Sequence, residues 1–268
     1  MTQNKPTIIT PPGLIAHEQT RLLGGRVICL QPKAGYRAAI DPVFLAAAVS
    51  ARPGERVLDA GAGTGAAALC LAARVQDVQI TGIEIQPQYA ALARQSAVLN
   101  GWSQTLNFLD GDISTVPSSG EFREFDHVMT NPPYMEAGRG RVSPDGGKAM
   151  ANAESHIGLS EWLSFCVRAT RSRGTVTIIH RADRLEEIMV SIAGKLGHIT
   201  VFPLWPAADT NGRESLTSAG RVVVCGRKAV KSPGQLKRGM VLHESHTGSY
   251  TPETISILSD GMSLEVFD

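Results

Sequence analysis

The stretch Val57-Leu58-Asp59-Ala60-Gly61-Ala62-Gly63-Thr64-Gly65 constrains the fold more than any other part of the chain. It starts in a short apolar strand, Arg56 to Ala60, that closes on an acid. Three glycines follow at alternate positions, and an alanine- and leucine-rich helix then runs to about Val75. A strand that passes directly into a helix is returned to its sheet by a crossover, which makes the next strand parallel. The glycines permit a tight turn there and let a ligand approach the backbone closely.

The same alternation continues along the chain. Gln79–Glu84 reads as a second strand ending in an acid, and Pro87 opens a helix that ends near Asn100-Gly101. Thr105–Leu109 is a third strand, leading to Gly111-Asp112-Ile113, and Phe125–Thr130 a fourth. The apolar spacing of Leu159, Trp162, Leu163, Cys166 and Val167 predicts a helix over 159–170. Gly174–Ile179 is a fifth strand, followed by an amphipathic helix from Leu185 to Leu196. Strands near Ile199–Leu204 and Arg221–Gly226 close the sheet. Ahead of this unit, Gly24-Gly25 and Arg26–Leu30 suggest a turn and strand. Gly35-Tyr36-Arg37 is a further turn, and Asp41 is expected to cap a helix with Pro42 at its first position. Residues 1–12 read as a loose tail. After about 227 only weak strand signals remain, at Met240–Leu242 and Ile255–Leu258. The expected organisation is an N-terminal extension of hairpin plus helix over 1–50, an α/β doubly wound domain over 51–230 and a C-terminal tail over 231–268.

Composition enters mainly through what it excludes. The 268 residues carry a formal net charge of +1, so no global field selects nucleic acid, and a polyanion site must be a local patch. No apolar run is long enough for a membrane span, and the N-terminus has no apolar signal core. Cys29, Cys70, Cys166 and Cys225 are far apart in apolar surroundings and read as reduced core thiols of a cytoplasmic protein. No metal is expected: His243 and His246 flank Glu244, but nothing else completes a site. The oligomeric state is not encoded in any recognisable pattern.

The glycine loop does not keep the G-x-G-x-x-G phasing of a dinucleotide fingerprint, and no basic residue is placed for a phosphate. Acids end three strands instead: Asp59, Glu84 and Asp112. They suit ribose hydroxyls, amino groups and cationic groups of a ligand better than a pyrophosphate. The fourth strand runs into Asn131-Pro132-Pro133-Tyr134. Neither proline has an N–H, so the chain leaves the ladder there with φ fixed near −65°. An asparagine oxygen and the Pro132 carbonyl are then two acceptors for the two hydrogens of a planar, conjugated amino group. Such a pair favours pyramidalisation and aims the nitrogen lone pair at an electrophile, and Tyr134 can stack on the ring that carries the amino group. A loop with a buried tyrosine and an asparagine cap is the plainer alternative.

The Val57–Gly65 loop resembles the first motif of class I S-adenosylmethionine-dependent methyltransferases. Asn131-Pro132-Pro133-Tyr134 resembles the fourth motif of those that methylate planar amino groups. The resemblance implies a Rossmann-like, mostly parallel seven-stranded sheet with an antiparallel last strand and helices on both faces. It implies S-adenosylmethionine as cofactor, with Asp59, Gly61 and Gly63 along its methionine part, Glu84 on the ribose hydroxyls, and Asp112 and Ile113 facing the adenine. Asn131, Pro132 and Tyr134 would be catalytic, with Asn131 also beside the cofactor. Leu22–Val27, Gln31-Pro32, Gly35–Arg37, Ile40–Val43 and Leu45–Ala48 resemble the lead-in of bacterial tRNA(Val) (adenine-N6)-methyltransferases, which act beside the anticodon. That implies tRNA as partner.

Arg139, Arg141 and Lys148 lie in a glycine-rich segment after Tyr134, which could clamp a phosphate backbone near a flipped base or be a solvated loop. Tyr134, Arg139 and Arg141 are the expected substrate contacts. A second basic run, Arg227, Lys228, Lys231, Lys237 and Arg238, reads as a basic turn in preference to a phosphate patch. Two other functions compete with RNA methylation. One is methylation of a glutamine side chain, as release-factor glutamine methyltransferases do with a similar Asn-Pro-Pro-Tyr; those usually carry a helical N-terminal domain, which the hairpin pattern here does not match. The other is a non-catalytic cofactor-binding module, against which the intact Asn131 and Tyr134 count.

Overall fold

The computed structural model describes residues 15–35, 39–116, 122–133, 157–207, 218–244 and 248–266. A hairpin comes first, β1 (His17–Leu22) and β2 (Val27–Pro32), paired antiparallel. Then follow α1 (Asp41–Ala48), β3 (Arg56–Ala60), α2 (Ala66–Arg74), β4 (Gln79–Glu84), α3 (Pro87–Leu99), β5 (Leu106–Asp110) and β6 (Phe125–Thr130). The second half holds α4 (Leu159–Ala169), β7 (Thr170–Arg181), α5 (Leu185–Ile192), β8 (Leu196–Ala207) and β9 (Arg221–Lys228). The short strands β10 (Gln235–Leu236) and β11 (Met240–His243) and the helix α6 (Pro252–Leu258) end the described chain.

The main sheet runs β5-β4-β3-β6-β7-β9-β8. Neighbours from β5 to β7 are parallel, whereas β9 is antiparallel to both β7 and β8. These seven strands are the expected mostly parallel sheet with its last strand reversed. β10 and β11 add to the outer side of β8, both parallel to it. The strands alternate between two cores. Val57, Val223 and Cys225 face a core shared with α1, α2 and the hairpin, while Leu58, Val222 and Val224 face one shared with α4 and α5. Burial on both faces explains why these strands read as continuous apolar runs.

The hairpin is fastened to α3 by polar bonds. Asn100 accepts from Ile28 N at 2.9 Å and donates to Ile28 O at 2.7 Å, and Ser96 Oγ accepts from Leu30 N at 2.9 Å. Leu242, Ile257, Leu264 and Val266 from the C-terminal tail join the core that holds α1 and the hairpin. All four cysteines are free and buried, and burial pushes the thiol of Cys29 up to about 11. Among the described residues, no helix is long and apolar enough to cross a membrane.

Four local expectations change. The helix expected to reach Leu196 ends at Ile192, and Leu196 instead opens β8. Asp41 lies inside the first turn of α1 and Ile40 is the cap residue; the Asp41 carboxylate accepts from Arg221 Nε at 2.8 Å, tying α1 to the start of β9. Ile255–Leu258 is helical: Thr251 caps α6 by accepting from Thr254 N, Pro252 opens the helix, and Thr254 and Ile257 are its buried positions. The basic run after 227 is not one turn, since Arg227 and Lys228 end β9 whereas Lys237 and Arg238 follow β10. The expected tail over 1–12, the turn at Tyr36-Arg37, Lys148 and His246 lie outside the described residues.

Candidate active site

The carboxyl ends of β3, β4 and β6 open on one cleft. Asp59, Gly61, Gly63, Glu84, Asp112, Ile113, Asn131 and Pro132 all line it, as residues expected to share a site must. Tyr134, Arg139 and Arg141 lie outside the described residues.

The glycine loop is held from beneath by β4. Gly61 N and Ala62 N both donate to Ile83 O at 3.0 Å. Gly63 N donates to Glu84 Oε2 at 2.8 Å, and Gln86 N donates to Glu84 Oε1 at 3.0 Å. One buried carboxylate therefore sets both the loop after β3 and the start of the segment before α3. Gly61 has φ +77°, and a Cβ there would stand 2.6 Å from the Trp162 ring, so both conformation and space demand glycine. Gly63, at φ +56°, would put a Cβ into open space.

Asp59 is 2% exposed. The backbone N–H of Ala68, in the first turn of α2, donates to its carboxylate, yet Oδ2 has no hydrogen-bond partner among the described residues. Burial, with the nearby Glu84 charge adding to it, raises the Asp59 carboxyl to about 7. A buried, half-satisfied acid beside a second acid favours a cationic ligand group. Asp112 sits just beyond the third strand, where its Oδ1 accepts from Ser114 N at 2.8 Å, and Ile113 beside it is buried.

Trp162 is a part of this site that periodicity marks only as a core position of α4. Its Nε1 donates to Thr130 Oγ1 at 2.8 Å, and Thr130 Oγ1 in turn donates to Ala60 O at 2.8 Å. The indole thus joins the residue before Asn131 to the residue before Gly61. Pro42 and Leu45 of α1 and Tyr89 of α3 also line the cleft. The tryptophan and tyrosine are visible in the sequence as aromatic residues on helices, but no spacing rule marks a ring for a cleft wall. His127 is engaged away from the cleft, with Nδ1 2.7 Å from Thr175 Oγ1 and Nε2 2.9 Å from Glu55 Oε2.

The donor set fits a nucleoside ligand that carries positive charge. Two acids end adjacent strands, Asp59 keeps a buried oxygen with no donor among the described residues, and a third acid and apolar Ile113 stand where a flat base can lie.

Comparison with known proteins agrees with this chemistry. A family model described as a methyltransferase domain matches residues 57–139. The tRNA1(Val) (adenine(37)-N6)-methyltransferase of Shewanella sp. (strain MR-4) is 26% identical over 227 residues, covering 84% of this chain and 92% of that protein. The protein of the same description from Porphyromonas gingivalis is 30% identical over 169 residues, 61% of this chain and 66% of its own length. Among solved structures, a predicted O-methyltransferase from Agrobacterium tumefaciens superposes with a TM-score of 0.66 at 22% identity, over 83% of this chain and 97% of that one. An S-adenosylmethionine-dependent O-methyltransferase from Thermotoga maritima gives 0.51 at 16% identity, over 75% and 69%. At these identities the structural likeness speaks for the fold.

Proposed function

We propose that this chain, a class I S-adenosylmethionine-dependent methyltransferase, methylates the exocyclic amino group of an adenine in RNA, in a tRNA near the anticodon. One observation carries the reading: Asn131 and Pro132 line the same cleft as Asp59, Glu84 and Asp112. The relatives described as tRNA1(Val) (adenine(37)-N6)-methyltransferases favour the same acceptor. A tRNA substrate assigns the protein to the cytoplasm.

S-adenosylmethionine supplies an electrophilic methyl group on a sulfonium centre. Asp59, with Gly61 and Gly63, would hold the cationic methionine end, its Oδ2 having no hydrogen-bond partner among the described residues. Glu84 would receive the ribose hydroxyls, with its bonds from Gly63 N and Gln86 N fixing its position. Asp112 and Ile113 would hold the adenine. The Asn131 side-chain oxygen and the Pro132 carbonyl accept the two hydrogens of the target amino group, and Tyr134 stacks on its base. No titrating base is needed, because the nitrogen sheds its proton after it has become positive. In this reading residues 1–50 cover the cofactor site, as Pro42 and Leu45 already do from α1, over a catalytic domain of 51–230 with 231–268 as its tail.

Asn131→Ala tests this assignment. It removes one of two acceptors that matter mainly in the transition state, so cofactor affinity is kept while turnover on tRNA falls by roughly 10²–10³. Wild-type turnover in the variant refutes it.

A further inference from the structure

The cleft occupies one end of the sheet, and the opposite end carries a concentration of positive charge. Nothing in the overall balance announces it, since the whole chain sets 26 Lys and Arg against 25 Asp and Glu. At that end β3, β6, β7 and β8 begin, and β9 and α4 finish. Arg168 closes α4, Arg171 and Arg173 lie in the first residues of β7, and Arg227 pairs in register with Thr175 of the same strand. Lys228 Nζ donates to Thr170 O at 2.5 Å and to Arg168 O at 3.3 Å, and Arg123 and Glu124 act on it electrostatically. Arg56 stacks its guanidinium on the Phe125 ring at 4.6 Å and donates to Arg123 O. Lys231 follows β9 beside Gly197.

Two carboxylates at this end are bonded, whereas Glu124 and Asp77 are exposed. Asp126 accepts from Arg171 Nε at 2.5 Å and from Arg56 N at 2.8 Å, and Glu55 is bonded to His127. Arg168, Arg173 and Lys231 are exposed, and none makes an ion pair among the described residues. The charge is mostly guanidinium, whose planar fork matches phosphate oxygens. The length of β6 separates it from Asn131 by roughly 20 Å, a span that a folded RNA bridges and a single flipped nucleotide does not.

We infer that this basic end of the sheet is a second contact for the RNA phosphate backbone, holding the body of the substrate while the target base occupies the cleft. The inference rests on the RNA reading given above. It assigns affinity to the basic end and chemistry to the cleft, so substitutions at the two places separate in kinetics.

The test compares Arg168→Gln/Arg173→Gln/Lys231→Gln with a control of equal charge, Arg21→Gln/Lys33→Gln/Arg94→Gln, in filter binding of total tRNA across a salt series. Circular dichroism checks that each protein is folded. The first variant is expected to bind about tenfold more weakly, with a salt slope smaller by about 2, at about 0.7–0.9 for each phosphate no longer neutralised. Its turnover at saturating tRNA and its S-adenosylmethionine affinity stay at wild-type values. An unchanged slope, or an equally weakened control, overturns the inference. If polyglutamate displaces tRNA from the wild type at equal charge concentration, the patch is not selective for phosphate and the inference also falls. Methylation of tRNA by a wild type whose first variant binds normally removes this inference alone. A wild type that binds tRNA through the patch but methylates only protein removes the substrate reading and leaves the phosphate-binding role of the patch standing.

Discussion

Asp59→Asn is expected to make the protein more stable and a poorer binder of its cofactor, both in a pH-dependent way. The Asp59 carboxyl is buried, and its folded-state pKa is raised from 3.8 to about 7. A raised folded pKa means that the stability this group contributes is complete below about pH 4 and is lost as pH rises through 7. Over that interval the loss is on the order of 4 kcal/mol, at 1.36 kcal/mol per pH unit. The asparagine keeps an oxygen for the Ala68 N–H and carries no charge to repel Glu84. It also buries an amide donor, which offsets the gain by about 1–3 kcal/mol if it finds no acceptor. At pH 8 the cofactor-free variant is therefore expected to gain about 1–3 kcal/mol, a rise of roughly 2–8 °C in melting temperature. At pH 5 the gain disappears. Cofactor affinity moves the other way: calorimetry at pH 8 should show at least a tenfold loss, since a charge-assisted bond contributes about 1.5–3 kcal/mol. Parallel stability curves for the two proteins between pH 4 and 8 would mean that Asp59 does not titrate on folding, and the expectation would fall.

Gly61→Ala combines a left-handed backbone with a Cβ 2.6 Å from the Trp162 ring, so urea denaturation should report a loss of about 2–4 kcal/mol; Gly63→Ala, which meets no atom within 4 Å, should lose only about 1–2 kcal/mol. Glu84→Gln turns one acceptor of the Gly63 and Gln86 N–H groups into a donor, and calorimetry should show cofactor affinity falling at least tenfold. Trp162→Phe keeps an aromatic ring but loses the bond to Thr130 and some buried volume; thermal melts should register at least about 1 kcal/mol, and an unchanged melt would mean that the indole does not brace the two loops.

Much of the fold was legible because burial on both faces leaves a plain mark. Val222, Val223 and Val224 are all buried although they point to different cores, and such a run cannot be mistaken for a half-exposed strand. The acids that end β3 and β4 were legible for the opposite reason, since a carboxylate at the end of an apolar strand has no role in the core. The helix α6 is hidden in the sequence because Ile255, Ile257 and their neighbours favour strands locally, while the Thr251-Pro252 start and the spacing of Thr254 and Ile257 decide the outcome. Asp41 sits one position past the cap because the partner that claims it, Arg221, is distant in sequence. Trp162 could be placed on a buried helix face but not at the cleft, since the hydrogen bond that sets its role joins α4 to β6. The basic end of the sheet draws on residues from 56 to 231 and exists only once the strands are in register.

Whether the acceptor is an adenine amino group in RNA is decided by incubating the protein with S-adenosylmethionine and unmodified tRNA, then digesting the RNA and weighing its nucleosides by mass spectrometry. N6-methyladenosine is expected, formed by the wild type and absent with Asn131→Ala. Methyl groups found only on a protein glutamine, or on a ring nitrogen of the base, would rule that acceptor out.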